Sequence, residues 1–500
     1  MFGTFMEVLD TTVVNVSLPH IAGNLSATVD EATWVLTSYL VANAIILPIT
    51  GWLANFFGRK NLLLMSLTGF TGASLLCGLA PNLPMLILFR LLQGTCGGCM
   101  QPISQAVLLE AFPPEDRGKA MGFWGLGIVS APVLGPVLGG WLTDSLSWRW
   151  VFYINLPVGI ASILMTRAFI FDPSYIKRSS NRIDYWGIGM LAVWVGALQV
   201  ALDKGQEDDW LSSTTIVSLL VVCGVFLVAF LWREIKAAAP VVNLSVFKTR
   251  TYAVGVFLMT LLGFGLYGSL VILPIWLQTL LGYPAIQAGL ALAPRGLGSM
   301  LAMPVVGTIS ARVDNRKLLA CGLGLCGYTM YALSRLNLNV GYWDLFWPQF
   351  VQGISLGLIF VPLTTVTMAP VPRENMGNAT SLFNLMRNIG GSMGIAATTA
   401  LTARYQQEHQ NYVMGRISVF NPRFNAMLAG LRSMFIGQGA SPVLANRRAL
   451  ASVYGMVQQQ TAMLSFVDVF RLLMMVFIGM LLLLFLLKKP ARGGPRGPMH

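Results

Sequence analysis

Residues 48–61 read PITGWLANFFGRKN, and residues 304–317 read PVVGTISARVDNRK. Proline, glycine and a basic pair recur at an offset of 256. Further features keep nearly the same spacing. FRLLQG at 89–94 matches QFVQG at 349–353, which sets Gln93 over Gln352 and Gly94 over Gly353 at an offset of 259. PPEDRG at 113–118 lies over PRENMG at 372–377, and Gly135 over Gly394, with that same spacing. A near-constant offset over so long a stretch argues for two related halves. Each copy of the Pro/Gly/basic stretch closes one apolar run and precedes another, so the two halves run in the same direction.

The medium around them follows from composition. The chain has 500 residues, of which 11% are charged and 55% hydrophobic, with mean hydropathy +0.66. So few charges cannot cover the surface of a water-soluble protein this large. A disordered, collagen-like or disulfide-rich secreted chain is excluded by the same numbers. An all-α polytopic membrane protein remains, because runs this long satisfy their backbone in lipid only as helices. Fourteen spans are expected, near 1–20, 33–54, 61–80, 84–109, 119–142, 150–170, 184–202, 213–232, 251–279, 286–311, 317–335, 345–370, 376–402 and 465–487. The first run has no basic leader and is followed by another span, so it is not a cleavable signal peptide. It starts at Met1, and the chain is expected to be short at its N-terminus.

The net charge of +13 is asymmetric. Twenty of the 33 Lys and Arg fall in loops on one side and in the C-terminal tail, among them Arg59, Lys60, Arg117, Lys119, Lys177, Arg178, Arg182, Arg312, Arg316, Lys488 and Lys489. Three, Arg149, Lys204 and Arg335, fall in short loops on the other side. Cytoplasmic loops hold the basic residues, so both termini are expected in the cytoplasm. Topology therefore accounts for the charge. No nucleic-acid partner is required, and membrane lipids with anionic headgroups are the expected contact. Seven more cations lie in or beside a polar segment, 403–464, expected outside the membrane as one or two short amphipathic helices (Met427, Leu428, Leu431, Met434, Phe435) with turns at Asn421-Pro422 and Ser441-Pro442. Cys96 and Cys99 form a CxxC, but in TCGGC the reading of small residues in a helix outweighs metal or redox work, and no metal is expected.

The motifs resemble a known family. GWLANFFGRKN at 51–61 is similar to the loop signature of the major facilitator superfamily. There Gly51 permits close packing, Gly58 a tight turn, and Arg59 and Lys60 anchor at the cytoplasmic face. It departs at Asn55, where the family carries Asp, which weakens the usual charge relay. Residues 127–140, GIVSAPVLGPVLGG, look like the antiporter signature of that superfamily's drug exporters: Pro132 and Pro136 break helix hydrogen bonds, while Gly135, Gly139 and Gly140 allow close approach. LDTTVVNVSLP at 9–19, TWVLTSYLVANAIILPITGWLAN at 33–55, LDKGQEDDW at 202–210 and VFNPRFN at 419–425 resemble the fourteen-span drug:proton antiporter (EmrB/QacA) family, its EmrB branch more than its QacA branch. The resemblance implies the major facilitator fold: a six-helix half at 1–170, an inserted helix pair with cytoplasmic linkers at 171–250, and a second six-helix half at 251–500 containing a periplasmic segment 403–464.

Ionisable residues inside spans carry the functional signal. Among carboxylates only Glu7 and Asp10 lie deep in a span, at i and i+3 on one helix face. Glu110, Asp184, Asp344 and Asp468 sit at span ends, where solvated termini are expected. Arg90, in a stretch that matches the family's lxxxRxxQG (Leu86 to Gly94), lies within reach of Asp10. Asp10, Glu7 and Arg90 are thus the expected proton-coupling set, with Asp10 alternating between a proton and Arg90 or a cationic drug. Arg387 and Arg295, with Asn384 and Asn15, are candidate substrate contacts. For the two arginines, substrate contact and structural pairing weigh equally.

The resemblance implies proton-driven, alternating-access export of hydrophobic or amphipathic compounds from the cell inner membrane, with no cofactor beyond the proton gradient. It also implies a tripartite efflux system with a periplasmic adaptor and an outer-membrane channel, although a lid is an equally simple use of 403–464. Export of one dedicated metabolite or fatty acid is the alternative within transport. A membrane-embedded enzyme lacks a Ser/His/Asp, metal-ligand or nucleotide-binding set, so no enzymatic activity is expected. A channel is disfavoured by the repeat.

Overall fold

The computed structural model describes residues 1–113, 115–172, 184–237, 240–415, 417 and 420–487. Lys177, Arg178, Arg182, Lys488, Lys489 and Val419 lie outside them. The described residues are helical with short connections and contain no strand. The first half comprises α1 (Phe2–Asn24), α2 (Val29–Phe57), α3 (Arg59–Leu79), α4 (Leu83–Gly97), α5 (Met100–Ala111), α6 (Arg117–Ser145), α7 (Trp150–Tyr153) and α8 (Asn155–Phe169). The inserted pair is α9 (Tyr185–Lys204) and α10 (Thr214–Lys236). The second half holds α11 (Arg250–Thr279), α12 (Ala285–Ile309), α13 (Asn315–Leu333), α14 (Tyr342–Met368) and α15 (Met376–Met414). After α15 come α16 (Pro422–Gly437) and α17 (Pro442–Leu483).

Local chemistry sets the boundaries. Thr28 and Glu31 form a reciprocal capping box at the start of α2, and Asn82, Asp184, Asp314 and Asn421 cap α4, α9, α13 and α16 with their side chains. Gly58, at φ 85°, separates α2 from α3 in a conformation that only glycine adopts readily. In α6 the helix bends by 43° between Pro132 and Leu134, because Pro136 cannot donate to the carbonyl four residues back.

The sequence repeat is also a repeat of packing. In the first half α1 packs on α6, α2 on α4, and α3 on α4 and α8; in the second, α11 packs on α15, α12 on α14, and α13 on α14 and α17. The halves meet along two matching seams, α2 with α15 and α6 with α12. The inserted pair packs on itself, and α9 rests against α2.

Twelve of the fourteen expected segments each coincide with one helix, while 84–109 is divided between α4 and α5 and 150–170 between α7 and α8. Among the described residues, ten helical spans are long and apolar enough to cross a membrane, eleven if bent α6 is one of them. The three outside that count are α1, α13 and α15. Two of these, α1 and α15, carry Glu7, Asp10, Asn384 and Arg387.

The outer segment differs from its expected form. The expected short helix over 427–435 is present as α16, but it is flanked by long helices: α15 runs on to Met414, and α17 is one helix of 42 residues, about 63 Å at ~1.5 Å per residue. No proline follows Pro442 before Leu483, and alanine, glutamine and methionine sustain a helix in water as well as in lipid. Asn421-Pro422 and Ser441-Pro442, expected as turns, are N-cap and first-turn proline pairs that start α16 and α17.

Candidate functional site

Asp10 and Arg90 meet inside the first half, both 0% exposed. Arg90 Nη1 donates to Asp10 Oδ2 at 2.5 Å. The other carboxylate oxygen accepts from Gln93 Nε2 (3.0 Å) and Asn155 Nδ2 (2.7 Å). Gln93 Oε1 in turn accepts from Arg90 Nη1 at 2.7 Å, and Ser74 Oγ accepts from Gln93 Nε2 at 2.7 Å. The Arg90 guanidinium lies 4.2 Å from the Tyr39 ring centroid, and its Nε donates to Val35 O. One carboxylate thereby ties together α1, α4 and α8, with α2 and α3 completing the shell. The break between α7 and α8 falls immediately before Asn155.

Glu7, one turn earlier on the same face of α1, accepts from Asn43 Nδ2 of α2 at 2.8 Å, and its Oε2 has no partner. Gln101 of α5 also reaches toward it. The Gln101 side-chain oxygen Oε1 accepts from Arg387 Nη2 of α15, across the boundary between halves. One turn along α15, Asn384 Nδ2 donates to Gln105 Oε1 (2.6 Å), and Thr380 Oγ1 donates to Pro102 O (3.1 Å). The seam is a ladder of neutral amides and hydroxyls ending in one cation. Arg387 is 4% exposed, with Nε and Nη1 unpartnered. It is the single charged residue lining a small cavity with Ile128, Val129, Leu262, Leu266, Tyr267, Leu356 and Phe360.

At the basic end, the loop between α2 and α3 is held by carboxylates from elsewhere in the chain. Arg59 pairs with Glu110 of α5, their side chains 3% and 6% exposed. The expectation that Glu110 is a solvated terminus is therefore wrong: a buried guanidinium stands where water was expected. Asp184 likewise is buried, capping α9 and pairing with Arg233 at 3.1 Å, and Asp468 binds His409 Nε2 at 2.7 Å, whereas Asp344 caps exposed Gly341. Asp172 Oδ1 accepts from the Lys60 N–H (2.8 Å), and Asp172 occupies the space beside Gly58 where a side chain would project. Glu110 and Asp172 stand around the loop that lacks an acid at Asn55. Glu110→Gln leaves Arg59 buried and unpaired, so it lowers stability by about 3–5 kcal/mol. A thermal-unfolding scan shows the loss, and pairing Arg59→Met with Glu110→Leu restores most of it.

The glycines of the two signatures are contact points. Gly51 meets the Asn378 backbone of α15; Gly135 and Gly139 meet Thr12 and Val13 of α1; Gly140 is buried. Cys96 and Cys99 are free thiols beside Gly97 and Gly98, which let α2 approach at Tyr39 and Asn43. Among the described residues no His/Cys/Asp/Glu group could hold a metal. Asn15 is exposed on α1, apart from both clusters. Arg295 is buried between α12 and α14, donating to Gln349 and Gln352. Ser74, Asn155, Gln101 and Asn43 escaped notice in the sequence because uncharged polar residues are common in spans. Gln93 and Gln352, recurring at a fixed offset, were the available clue.

Sequence comparison places the chain in a family. The profile of the Major Facilitator Superfamily matches residues 1–395. The chain belongs to the major facilitator superfamily. Members of that superfamily are transporters rather than enzymes. The chain is 38% identical over 489 residues to the multidrug export protein EmrB of Haemophilus influenzae, covering 97% of this chain and 94% of that one. It is 36% identical over 496 residues to the fatty acid resistance protein FarB of Neisseria gonorrhoeae, covering 99% and 96%. The solved structure of the human organic anion transporter MFSD10 shares the fold, with TM-score 0.60, 13% identity, and coverage of 95% and 97%.

Proposed function

We propose that this protein is a proton-coupled multidrug exporter of the cell inner membrane, moving hydrophobic or amphipathic compounds by alternating access. The observation that carries the reading is the fully buried Asp10–Arg90–Gln93–Asn155 network, on the same helix face as Glu7. A membrane carboxylate with a cation beside it can exchange that cation for a proton. Protonation of Asp10 releases Arg90 and loosens α1 from α4 and α8. The same helix holds Glu7 beside the Gln101–Arg387 bridge, so a change at α1 reaches the seam between halves. The similarity to a multidrug export protein supports the direction and breadth of transport.

The topology we assign has fourteen spans with both termini cytoplasmic, following the basic residues. The halves are 1–170 and 251–500, with the inserted pair in 171–250. The part of α15, α16 and α17 that projects beyond the membrane is the surface offered to a periplasmic adaptor leading to an outer-membrane channel. The proton gradient is the energy source, without a cofactor. Substrate-induced proton release from the purified protein across a compound panel tests this reading; no release with any exported compound overturns it.

A second reading, export of one acidic metabolite or fatty acid, is favoured by Arg387, the lone charge on an otherwise apolar cavity, with Asn384 one turn away. Arg387→Gln raises the apparent KM for a dodecanoate-like anion about tenfold, since a charge-assisted hydrogen bond is lost. A dodecyl ammonium of equal length is unaffected. Proteoliposome transport of both compounds checks the difference.

A further inference from the structure

The two halves hold the same polar network with its charges rearranged. At the 259 offset, Asp10 corresponds to Ser269, Arg90 to Gln349 and Gln93 to Gln352. At the 256 offset of the neighbouring helix, Tyr39 corresponds to Arg295. The geometry agrees with this register. Gly94 lies against the Tyr39 carbonyl in the first half, and Gly353 against the Arg295 carbonyl in the second. Gln93 Nε2 donates to Asp10, and Gln352 Nε2 donates to Ser269 Oγ at 3.4 Å. The cation has thus moved from the fourth span of its half to the second, and the acid has become a hydroxyl.

Arg295 is 2% exposed. Its Nε donates to Gln349 Oε1 (3.0 Å) and its Nη2 to Gln352 Oε1 (2.7 Å), both neutral carbonyls. Its Nη1 and the Gln349 Nε2 have no partner. Among the described residues no carboxylate pairs with it, and the titratable side chain acting on it is a thiol, Cys326. Guanidinium stays protonated in proteins, so burial cannot neutralise it. An uncompensated buried cation is costly inside a membrane, and two unpartnered N–H groups add to that cost. What such a site lacks is negative charge and acceptor capacity, which a single small anion supplies together.

We propose that the buried Arg295 cluster, with Ser269, Gln349 and Gln352, binds a small monovalent anion such as chloride. The anion is the second half's counterpart of the Asp10 carboxylate. The near-complete burial of Arg295 favours an ion over a bulky group. The first half then carries a counter-ion that can be protonated and the second a counter-ion that can exchange, and Arg295 serves as the anchor of an ion rather than as a direct contact for the transported compound.

The test is thermal unfolding of the full-length protein in detergent, with sodium chloride replacing sodium gluconate at constant ionic strength. In the wild type, chloride raises the midpoint by about 2 °C or more. Arg295→Gln abolishes the shift. Ser269→Asp, which places a carboxylate one amide away from Arg295, also abolishes it and raises the midpoint in gluconate. That variant decides the matter if Arg295→Gln does not fold. No chloride shift in the wild type, or an undiminished shift in Ser269→Asp, overturns the proposal. A shift given by decanoate and not by chloride also overturns it, and assigns the site to a carboxylate-bearing substrate. Transport is not read in this experiment, so its outcome is independent of the export reading.

Discussion

Asp10→Asn abolishes proton-driven export in proteoliposomes, a loss of about a hundredfold or more, while the protein still folds and still exchanges substrate down its own gradient. Asparagine fills the same volume, and its carbonyl can accept from Gln93 and Asn155 as the carboxylate does. What it cannot do is gain or lose a proton. The variant resembles the protonated state of Asp10, a state the transporter must visit in every cycle, so the fold tolerates it. The unpaired Arg90 retains the Tyr39 ring face, the Val35 carbonyl and Gln93 as partners. Measured in parallel, transport under an imposed pH gradient and substrate counterflow separate coupling from binding. Normal pH-driven rates in this variant sink the coupling role of Asp10, and loss of counterflow as well means that the residue holds the substrate path itself.

Much of the fold was legible because membranes leave few choices. Apolar runs of spanning length must be helices, and a repeat with constant offset must give halves of like orientation. The duplicated packing of α1–α6 and α11–α15 follows from glycines visible in the sequence, Gly135 over Gly394. The charge deep in α1 was legible for the opposite reason: acids are so rare in spans that each is conspicuous. The acceptors and donors around it were not. Asn155, Ser74 and Gln101 carry no charge, so only three-dimensional neighbours distinguish them from other polar residues in spans. Glu110 was misplaced because a helix end in sequence does not show what folds over it. The length of α17 was hidden by polarity: polar residues signal departure from lipid, and a helix that leaves the membrane remains a helix while nothing breaks it.

Gly51→Val is expected to be the most damaging change at the seam between halves. A Cβ at this position would lie 2.6 Å from the Asn378 Cα and 2.7 Å from its backbone nitrogen, closer than non-bonded atoms approach. The obstruction is backbone, so no rotamer change relieves it. Nor can Asn378 swing aside, because its side chain exchanges two hydrogen bonds with the Asn243 backbone, at 2.8 and 3.1 Å. The helices α2 and α15 must therefore part at the basic end, and the ladder from Thr380 to Arg387 opens with them. Each half keeps its own core, so the protein folds, but a carrier that cannot close one gate does not complete a cycle. Export falls to background. A reporter cysteine at Thr380, buried in the closed seam, then reacts with a polar maleimide about tenfold faster than in the Gly51 parent, in a background free of other cysteines. The matched control is Gly72→Val, where an added side chain meets nothing within 4 Å. If Gly51→Val exports at the parental rate with Thr380→Cys still protected, this seam does not gate the basic end, and closure must be sought along α6 and α12.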